Sequence, residues 1–407
     1  MKILILSQYF WPETFLINGV VQSLREIGCD VSILTGQPNY PAGVIPPGYS
    51  STALCTQMHK GLTIHRVPLI PRRSGSASQL IVNYLSFVAS AAMFGPWLLR
   101  GKHFDVILVY APSPILQAIP AVWLAWLKGA RLVTWVQDLW PQSLEATGFV
   151  RNPRVLAMVA ALVRWVYRRN DLLLVQSQAF IPPVKVMADK TPVLYHPNPG
   201  ELAFSQAQPI EMPALLLEPG FNVVFAGNLG TVQALGTVLD AAELLLPHPD
   251  VRLVLVGSGS RSEWLQQELL GRQLHNVQLA GRFAPEAMPG VLSQASALLV
   301  SLVRSPIMSQ TVPSKVQAYL AAGKPIIASL DGEGARVIEE SGAGVSCPAE
   351  DAAALAQAVL RLRAMPSDEL QRMGEAGLVY YKQNFDPAVL ATRLAHLFSE
   401  VLAWNKP

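Results

Sequence analysis

The chain has 407 residues, 51% of them hydrophobic and 14% charged, with a mean hydropathy of +0.31. That length predicts two domains, at most three, and so much apolar material excludes disorder over most of the chain. The net charge of +3 divides unevenly: residues 1–200 hold 17 basic and 8 acidic side chains, residues 201–407 hold 14 and 20. A basic first half suits an anionic partner, and an anionic membrane surface or a lipid pyrophosphate fits an apolar chain better than nucleic acid. Chance asymmetry on solvated faces is the alternative. Cys29, Cys55 and Cys347 lie far apart without a CxxC pair, which excludes a zinc knuckle, a redox pair and a disulfide scaffold.

Lys2–Ser7 reads as a strand, Gly19–Ile27 as a helix ended by Gly28, and Val31–Leu34 as the next strand. The opening apolar run is too short for a secretory signal core. Ser74–Leu99 carries no charge and is long enough to span a bilayer, but Gln79, Asn83, Ser86 and Ser90 dot it with polar groups. It is expected as a buried or interface-lying helix, with Arg72-Arg73 before it and Arg100 and Lys102 after it. The grammar then repeats: strand Val106–Tyr110, helix Ile115–Lys128, strand Arg131–Val136, a helix near Val155–Tyr167, strand Leu172–Val175. Prolines crowd the region from Pro197 to Phe221, where a linker is expected. Beyond it come strand Asn222–Ala226, helix Ala234–Leu246 and strands Val251–Val256, Ala297–Leu302 and Pro325–Ser329. Helices Asp351–Leu362 and Asp386–Trp404 close the chain. Strand–helix–strand units predict an α/β fold of two doubly wound parallel sheets. Ligands of such sheets gather at the carboxyl ends of the strands, and two domains face to face would leave a cleft there.

The loops after the strands are therefore the candidates. Gly227-Asn228-Leu229-Gly230 joins a strand to a helix, where main-chain N–H groups and a helix N-terminus favour a phosphate, although glycines also serve turn geometry alone. Gly257 in Val256-Gly257-Ser258-Gly259 is either a second such contact or a plain turn. Ser314 can cap the helix that opens at Thr311-Val312-Pro313-Ser314-Lys315. Lys315 in its first turn opposes the helix dipole unless an anion binds beside it. Asp331-Gly332-Glu333-Gly334 offers amides and carboxylates to sugar hydroxyls, or is an acidic turn. In the first half, Asp138 before Trp140 is an acid/base or sugar position, or a cap. Glu13 and the loop with Asn39 and Tyr40 follow earlier strands. Dinucleotide, P-loop, serine-hydrolase and zinc-protease motifs are absent, and the seven histidines show no metal-like pairing, so neither a metal nor a cofactor is expected.

Taken together, Gln8-Tyr9-Phe10-Trp11-Pro12-Glu13, Gln37–Pro41, Asp138–Pro141, Ala226–Gly230 with Gln233, Val312–Lys315 running into Tyr319–Pro325, and Asp331–Ala335 resemble the bacterial glycosyltransferases of family 4. The resemblance is nearest to their O-antigen and capsule N-acetyl-L-fucosamine transferase-like branch, and it covers nearly the whole chain. It implies the two-domain GT-B fold. Residues 1–200 would bind acceptor and 201–385 a nucleotide sugar, with a final helix in 386–407 crossing back to the first domain. It implies a UDP-sugar donor, a lipid-linked saccharide acceptor at the inner face of the cytoplasmic membrane, and retention of configuration without a metal. The donor residues it implies are Gly227, Asn228, Leu229, Gln233, Gly257, Arg282, Arg304, Gln310, Ser314, Lys315, Gly332, Glu333 and Gly334. Glu13, Asn39, Tyr40 and Trp140 would meet the acceptor, and Asp138 and Lys315 would be catalytic. Family members typically carry Arg and Lys where this chain has Asn228 and Gln233, and a Glu-x7-Glu pair where it has Gln310 and Ala318; alanine cannot grip a ribose. Lys315 is then the main cation on the pyrophosphate, with Arg282 and Arg304 assisting. The other reading is a non-catalytic subunit of this fold that serves a partner transferase.

Overall fold

Near-continuous Val, Ile and Leu runs form strands that are buried on both faces, the signature of parallel sheets covered by helices on each side. The computed structural model describes residues 1–73, 76–146, 148, 150–201 and 217–404. They form two compact units, one from residues 1–197 with the stretch from Leu390 onward, the other Asn198–Val389. Of the linker expected between Pro197 and Phe221, residues 202–216 lie outside the described residues.

The first unit holds strands β1 (Lys2–Leu6), β2 (Asp30–Gly36), β3 (Cys55–His59), β4 (Leu62–Val67), β5 (Val106–Ala111), β6 (Arg131–Val136), β7 (Leu172–Val175) and β8 (Val193–Tyr195). Their order is β3-β4-β2-β1-β5-β6-β7-β8, parallel throughout except the β3–β4 hairpin. Sequence reading missed that hairpin. Its two-residue turn, Lys60-Gly61, has positive φ at both positions (48° and 74°), which matches the twist of paired strands. Side chains alternate across the sheet. Leu4, Leu6 and Val109 pack under helices Ala77–Leu98, Ala118–Lys128 and Pro153–Tyr167. Ile3, Ile5 and Leu108 pack against helix Leu16–Glu26 and against Leu394, Phe398 and Val401 of helix Pro387–Ala403. The predicted helix over 115–128 is a short 3-10 turn, Ile115–Gln117, followed by helix Ala118–Lys128.

The second unit holds β9 (Phe221–Ala226), β10 (Val251–Val256), β11 (Val277–Gly281), β12 (Ala297–Ser301), β13 (Ile326–Ser329) and β14 (Gly344–Cys347). All are parallel, in the order β11-β10-β9-β12-β13-β14. The winding reverses between β9 and β12, and a crevice opens at the carboxyl ends of the strands at such a point. Each unit is a Rossmann-like α/β domain, and the fold is GT-B.

Candidate functional site

The crevice is occupied by a cavity of about 600 Å³, within the range of small-molecule sites. Its wall includes Gly227 and Asn228 after β9, Gly257 and Ser258 after β10, Leu302 after β12, and Ser314, Lys315 and Ala318 of helix Ser314–Ala322. Gln233 and Arg282 also line it. Phe283, Pro285, Met288 and Leu292 make one region of the wall apolar.

The glycine loops interlock. Gly227 N–H donates to Val256 O at 2.9 Å, Leu229 N–H to Ser258 O at 3.0 Å, and Gly257 N–H to Gly281 O at 2.7 Å. Gln233 Oε1 accepts from Gly230 N–H at 3.0 Å. These amides hold the loops together, which corrects the expectation that they are presented to a phosphate. The glycines allow close approach instead: a Cβ on Gly257, at φ +138°, would lie 1.8 Å from Gly227 O.

Lys315 differs from every other cation of the pocket. Its Nζ is buried, has no hydrogen-bond partner, and lies 3.4 Å from the ring centroid of Phe225. Burial draws its pKa from 10.5 down to about 7. An unpaired buried ammonium is unfavourable unless something anionic arrives. It stands in the first helical turn, where N–H groups have no intrahelical acceptor. Ser314 begins this helix and Pro313 precedes it without a side-chain cap, so the expected Ser314 cap is not formed. Phe225, the ring beneath the ammonium, was not singled out in the sequence, where it reads as one more residue of a strand.

Arg282 is an exposed cation on the wall. The other expected donor residues do not line this cavity. Arg304 donates to Ala349 O at 2.8 Å and stands 3.4 Å from Asp331. Gln310 donates to Pro306 O at 2.9 Å, and the Glu333 carboxylate is paired with Arg336. Leu229 is buried core. Gly332 and Gly334 lie against the segment leading into the Lys315 helix; Cβ atoms there would meet Ser309 O at 2.0 Å and Pro313 Cδ at 3.1 Å. Their role is to seat that helix.

In the first unit the expected residues also follow strands. Glu13 is buried, and its Oε1 accepts from the N–H groups of Asn39 and Tyr40, each at 2.7 Å, while Oε2 accepts from Phe10 N–H at 3.3 Å. Desolvation raises its pKa against these bonds. The carboxylate is therefore engaged in fixing the 37–41 loop. Asn39 is buried, and its Oδ1 accepts from Arg72 N–H at 3.2 Å. Tyr40 is half exposed, packs on Phe15 with centroids 5.0 Å apart, and carries the Arg72 guanidinium 5.0 Å over its ring. Asp138 follows β6. Its carboxylate accepts from Ser143 Oγ and from Trp140 Nε1, the latter at 3.3 Å. Burial raises its pKa, and these hydrogen bonds oppose the shift without cancelling it. A half-buried carboxylate with an elevated pKa, held in place by neighbours, is suited to taking a proton. Among the described residues, no group of three or more His, Cys, Asp or Glu side chains is placed to hold a metal ion.

Residues 16–198 match the family model of the glycosyl transferase 4-like domain, and residues 220–364 match that of glycosyl transferases group 1. The chain is 25% identical over 345 residues to WcaI of Escherichia coli, named as a colanic acid biosynthesis glycosyl transferase, covering 79% of this chain and 82% of that one. It is 24% identical over 347 residues to WbjE of Pseudomonas aeruginosa, named as a glycosyltransferase, covering 81% and 83%. Among solved structures, Anabaena HepE in complex with UDP superposes with a TM-score of 0.70 at 15% identity, covering 98% of this chain and all of that one. A trehalose-6-phosphate structure from Escherichia coli, bound with UDP-2-fluoro glucose, gives 0.73 at 13% identity over the whole of both chains.

Proposed function

The chain belongs to the family 4 glycosyltransferases, and from that premise we propose that it moves a sugar from a UDP-linked donor to a lipid-linked saccharide at the inner face of the cytoplasmic membrane. The observation that carries the donor reading is Lys315: a buried, unpartnered ammonium at a helix N-terminus, in a cavity large enough for a nucleotide. The diphosphate would lie against Lys315 and the first helical turn, with Arg282 beside it and the base against Phe283, Pro285 and Met288. UDP is the nucleotide in two proteins of the same fold. Cell-surface polysaccharide biosynthesis agrees with the name of the colanic acid relative. An N-acetylated deoxyhexose is the sugar implied by the resemblance read in the sequence.

In the transfer, the bond from the anomeric carbon to the UDP oxygen breaks and a bond from that carbon to an acceptor hydroxyl oxygen forms. UDP leaves with the bonding pair, and Lys315 stabilises the charge that develops on it. Retention of configuration and independence from metal belong to this proposal. Asp138 is the first unit's candidate for the proton of the acceptor hydroxyl.

A thermal-shift panel of UDP, GDP, ADP and their sugars, with and without EDTA, tests it. Ligand-linked stabilisation reveals even a weak donor at millimolar concentration. Stabilisation by UDP and one UDP-sugar, unchanged by EDTA, is expected. No response to any nucleotide would overturn the donor reading and favour a non-catalytic partner subunit.

A further inference from the structure

Three of the helices on one face of the first sheet present to solvent what a core would hide. Helix Ala77–Leu98 is uncharged and buries only the strip Asn83, Phe87, Ala91 and Gly95. Its outward side carries Val82, Leu85, Met93 and Trp97, the last 63% exposed. The buried strip fixes how the helix lies. Phe87 and Ala91 are part of the unit's core, and the Asn83 side chain donates to Ile70 O at 2.7 Å and accepts from Gln8 Nε2 at 2.7 Å. It is long and apolar enough to cross a membrane, yet it is packed along the unit.

The neighbouring helix, Ala118–Lys128, adds Trp123 and Trp126, stacked with centroids 5.1 Å apart; Trp126 is 72% exposed. Helix Pro153–Tyr167 adds Met158 and Trp165. Trp123, Trp126 and Trp165 line one surface groove of about 480 Å³, whose wall also holds Arg169 and Asp171, the latter paired with Arg131 at 2.8 Å. No acidic residue occurs in any of these three helices. Their charges are basic: Arg154 and Arg164 are exposed, and the Arg169 guanidinium, just past the third helix, lies 4.3 Å over the Trp165 ring.

Apolar patches of this extent mark interaction surfaces. Indoles beside arginines are the chemistry of a membrane–water boundary, where the ring lies at headgroup level and the guanidinium meets phosphate. The same face on a second copy of the chain would bring these cations against like cations, whereas anionic headgroups would pair them. We propose that this face docks on an anionic bilayer surface, with Trp97, Trp123, Trp126 and Trp165 at the headgroup level and Arg154, Arg164 and Arg169 on the lipid phosphates. The inference deepens the proposed function and rests on it, since such docking brings the first unit to an acceptor whose lipid lies in the bilayer.

The test is sedimentation of the full chain with vesicles of phosphatidylcholine alone and of phosphatidylcholine mixed with phosphatidylglycerol. Partition onto the anionic vesicles should be at least about tenfold stronger and should weaken with added salt. Trp97→Gln with Trp126→Gln, both exposed, should lower it by about tenfold or more, and Arg154→Glu with Arg164→Glu should abolish the preference for anionic lipid. Far-UV circular dichroism and a wild-type urea unfolding curve report that the first unit of each variant is folded, and the UDP-dependent thermal shift, which reads the second unit, should be unchanged in both. Equal sedimentation of wild type and the tryptophan variant, with that shift intact, overturns the docking surface while the donor reading stands. Vesicle binding without any nucleotide response supports the docking surface and overturns the donor reading. A concentration-dependent dimer without vesicles, lost in the tryptophan variant, assigns the face to a second copy and overturns the proposal.

Discussion

Replacing Lys315 by methionine probes the pocket from two sides, because methionine keeps much of the side-chain length and removes the charge. Without ligand, the ammonium lies on Phe225 with no acceptor, and burial draws its pKa from 10.5 to about 7. At about 1.4 kcal/mol per pH unit, folding disfavours the charged lysine by up to about 5 kcal/mol relative to the unfolded chain. The folded state binds fewer protons than the unfolded state between about pH 7 and 10.5, so wild-type stability rises with pH through that window. Below about pH 7 both states are protonated and the penalty is complete. The Lys315→Met variant should therefore melt above wild type in mildly acidic buffer, with the gap closing as the pH rises. A gain of even about 2 kcal/mol corresponds to about 4–8 °C for a unit of this size. The same variant should bind UDP at least about tenfold more weakly, a loss of about 1.4 kcal/mol or more. Wild-type UDP affinity should fall above about pH 7, because a neutral lysine must first gain a proton, whereas the variant should show no such decline. Calorimetric melting with and without UDP across this range reads both effects. A variant that melts at or below wild type in acid and still binds UDP normally would refute the reasoning.

Asp138→Asn should lower turnover by about a hundredfold or more while leaving the Kd for UDP unchanged, measured by product formation beside titration calorimetry. In the wild type, the acidic limb of kcat/KM should lie above the ordinary carboxylate range, in the direction burial shifts this group. Glu13→Ala leaves the N–H groups of Phe10, Asn39 and Tyr40 without their acceptor and should destabilise the first unit by about 2–5 kcal/mol in urea unfolding, with UDP binding retained. Gly257→Ala forces a Cβ onto Gly227 O at a positive φ; it should lower the melting temperature of the second unit by more than about 4 °C and remove the UDP shift.

The sheet framework was legible because a fully buried parallel strand is an unbroken apolar run: Arg131–Val136, Leu172–Val175 and Val251–Val256 are found where the sequence puts them. The hairpin strand Cys55–His59 was not, because its half-exposed residues, Cys-Thr-Gln-Met-His, show no apolar run. Helix Leu16–Glu26 starts before Gly19 because Ile17 belongs to its buried face, a contact that local sequence does not reveal. At the pocket, position after a strand found Gly227 and Gly257, and a cation in the first turn of a helix found Lys315; all three line the cavity. Residue type and position were not enough to separate residues that reach the cavity from those that seat the walls. Arg304 and Glu333 carry suitable charges, but each is turned to a neighbour, Asp331 or Arg336, and only coordinates show which way a long side chain goes.

The departures from the family pattern form one physical arrangement. Asn228 and Gln233 stand where the resemblance read in the sequence expects Arg and Lys, both line the pocket, and both serve the loops. The Asn228 amide is wedged so near Gly230 and Gly259 that a Cβ on either would lie 2.6–2.7 Å from it, and Gln233 holds the Gly230 amide. Cation number falls, but cation environment compensates. A charge pair 4 Å apart is worth about 1 kcal/mol in water and about 4 kcal/mol at an effective dielectric of 20. The Lys315 ammonium is buried, so under the proposed donor reading a diphosphate would gain the stronger attraction without desolvating it again. Ala318 completes the arrangement. It lies three residues on from Lys315 in the same helix, where side chains share a face. A glutamate at that position would pair with the ammonium and raise its pKa. The pocket would then hold an internal ion pair and no longer an unmet cation. Under the proposed donor reading, the missing carboxylate leaves Lys315 free to act as the principal group on the diphosphate.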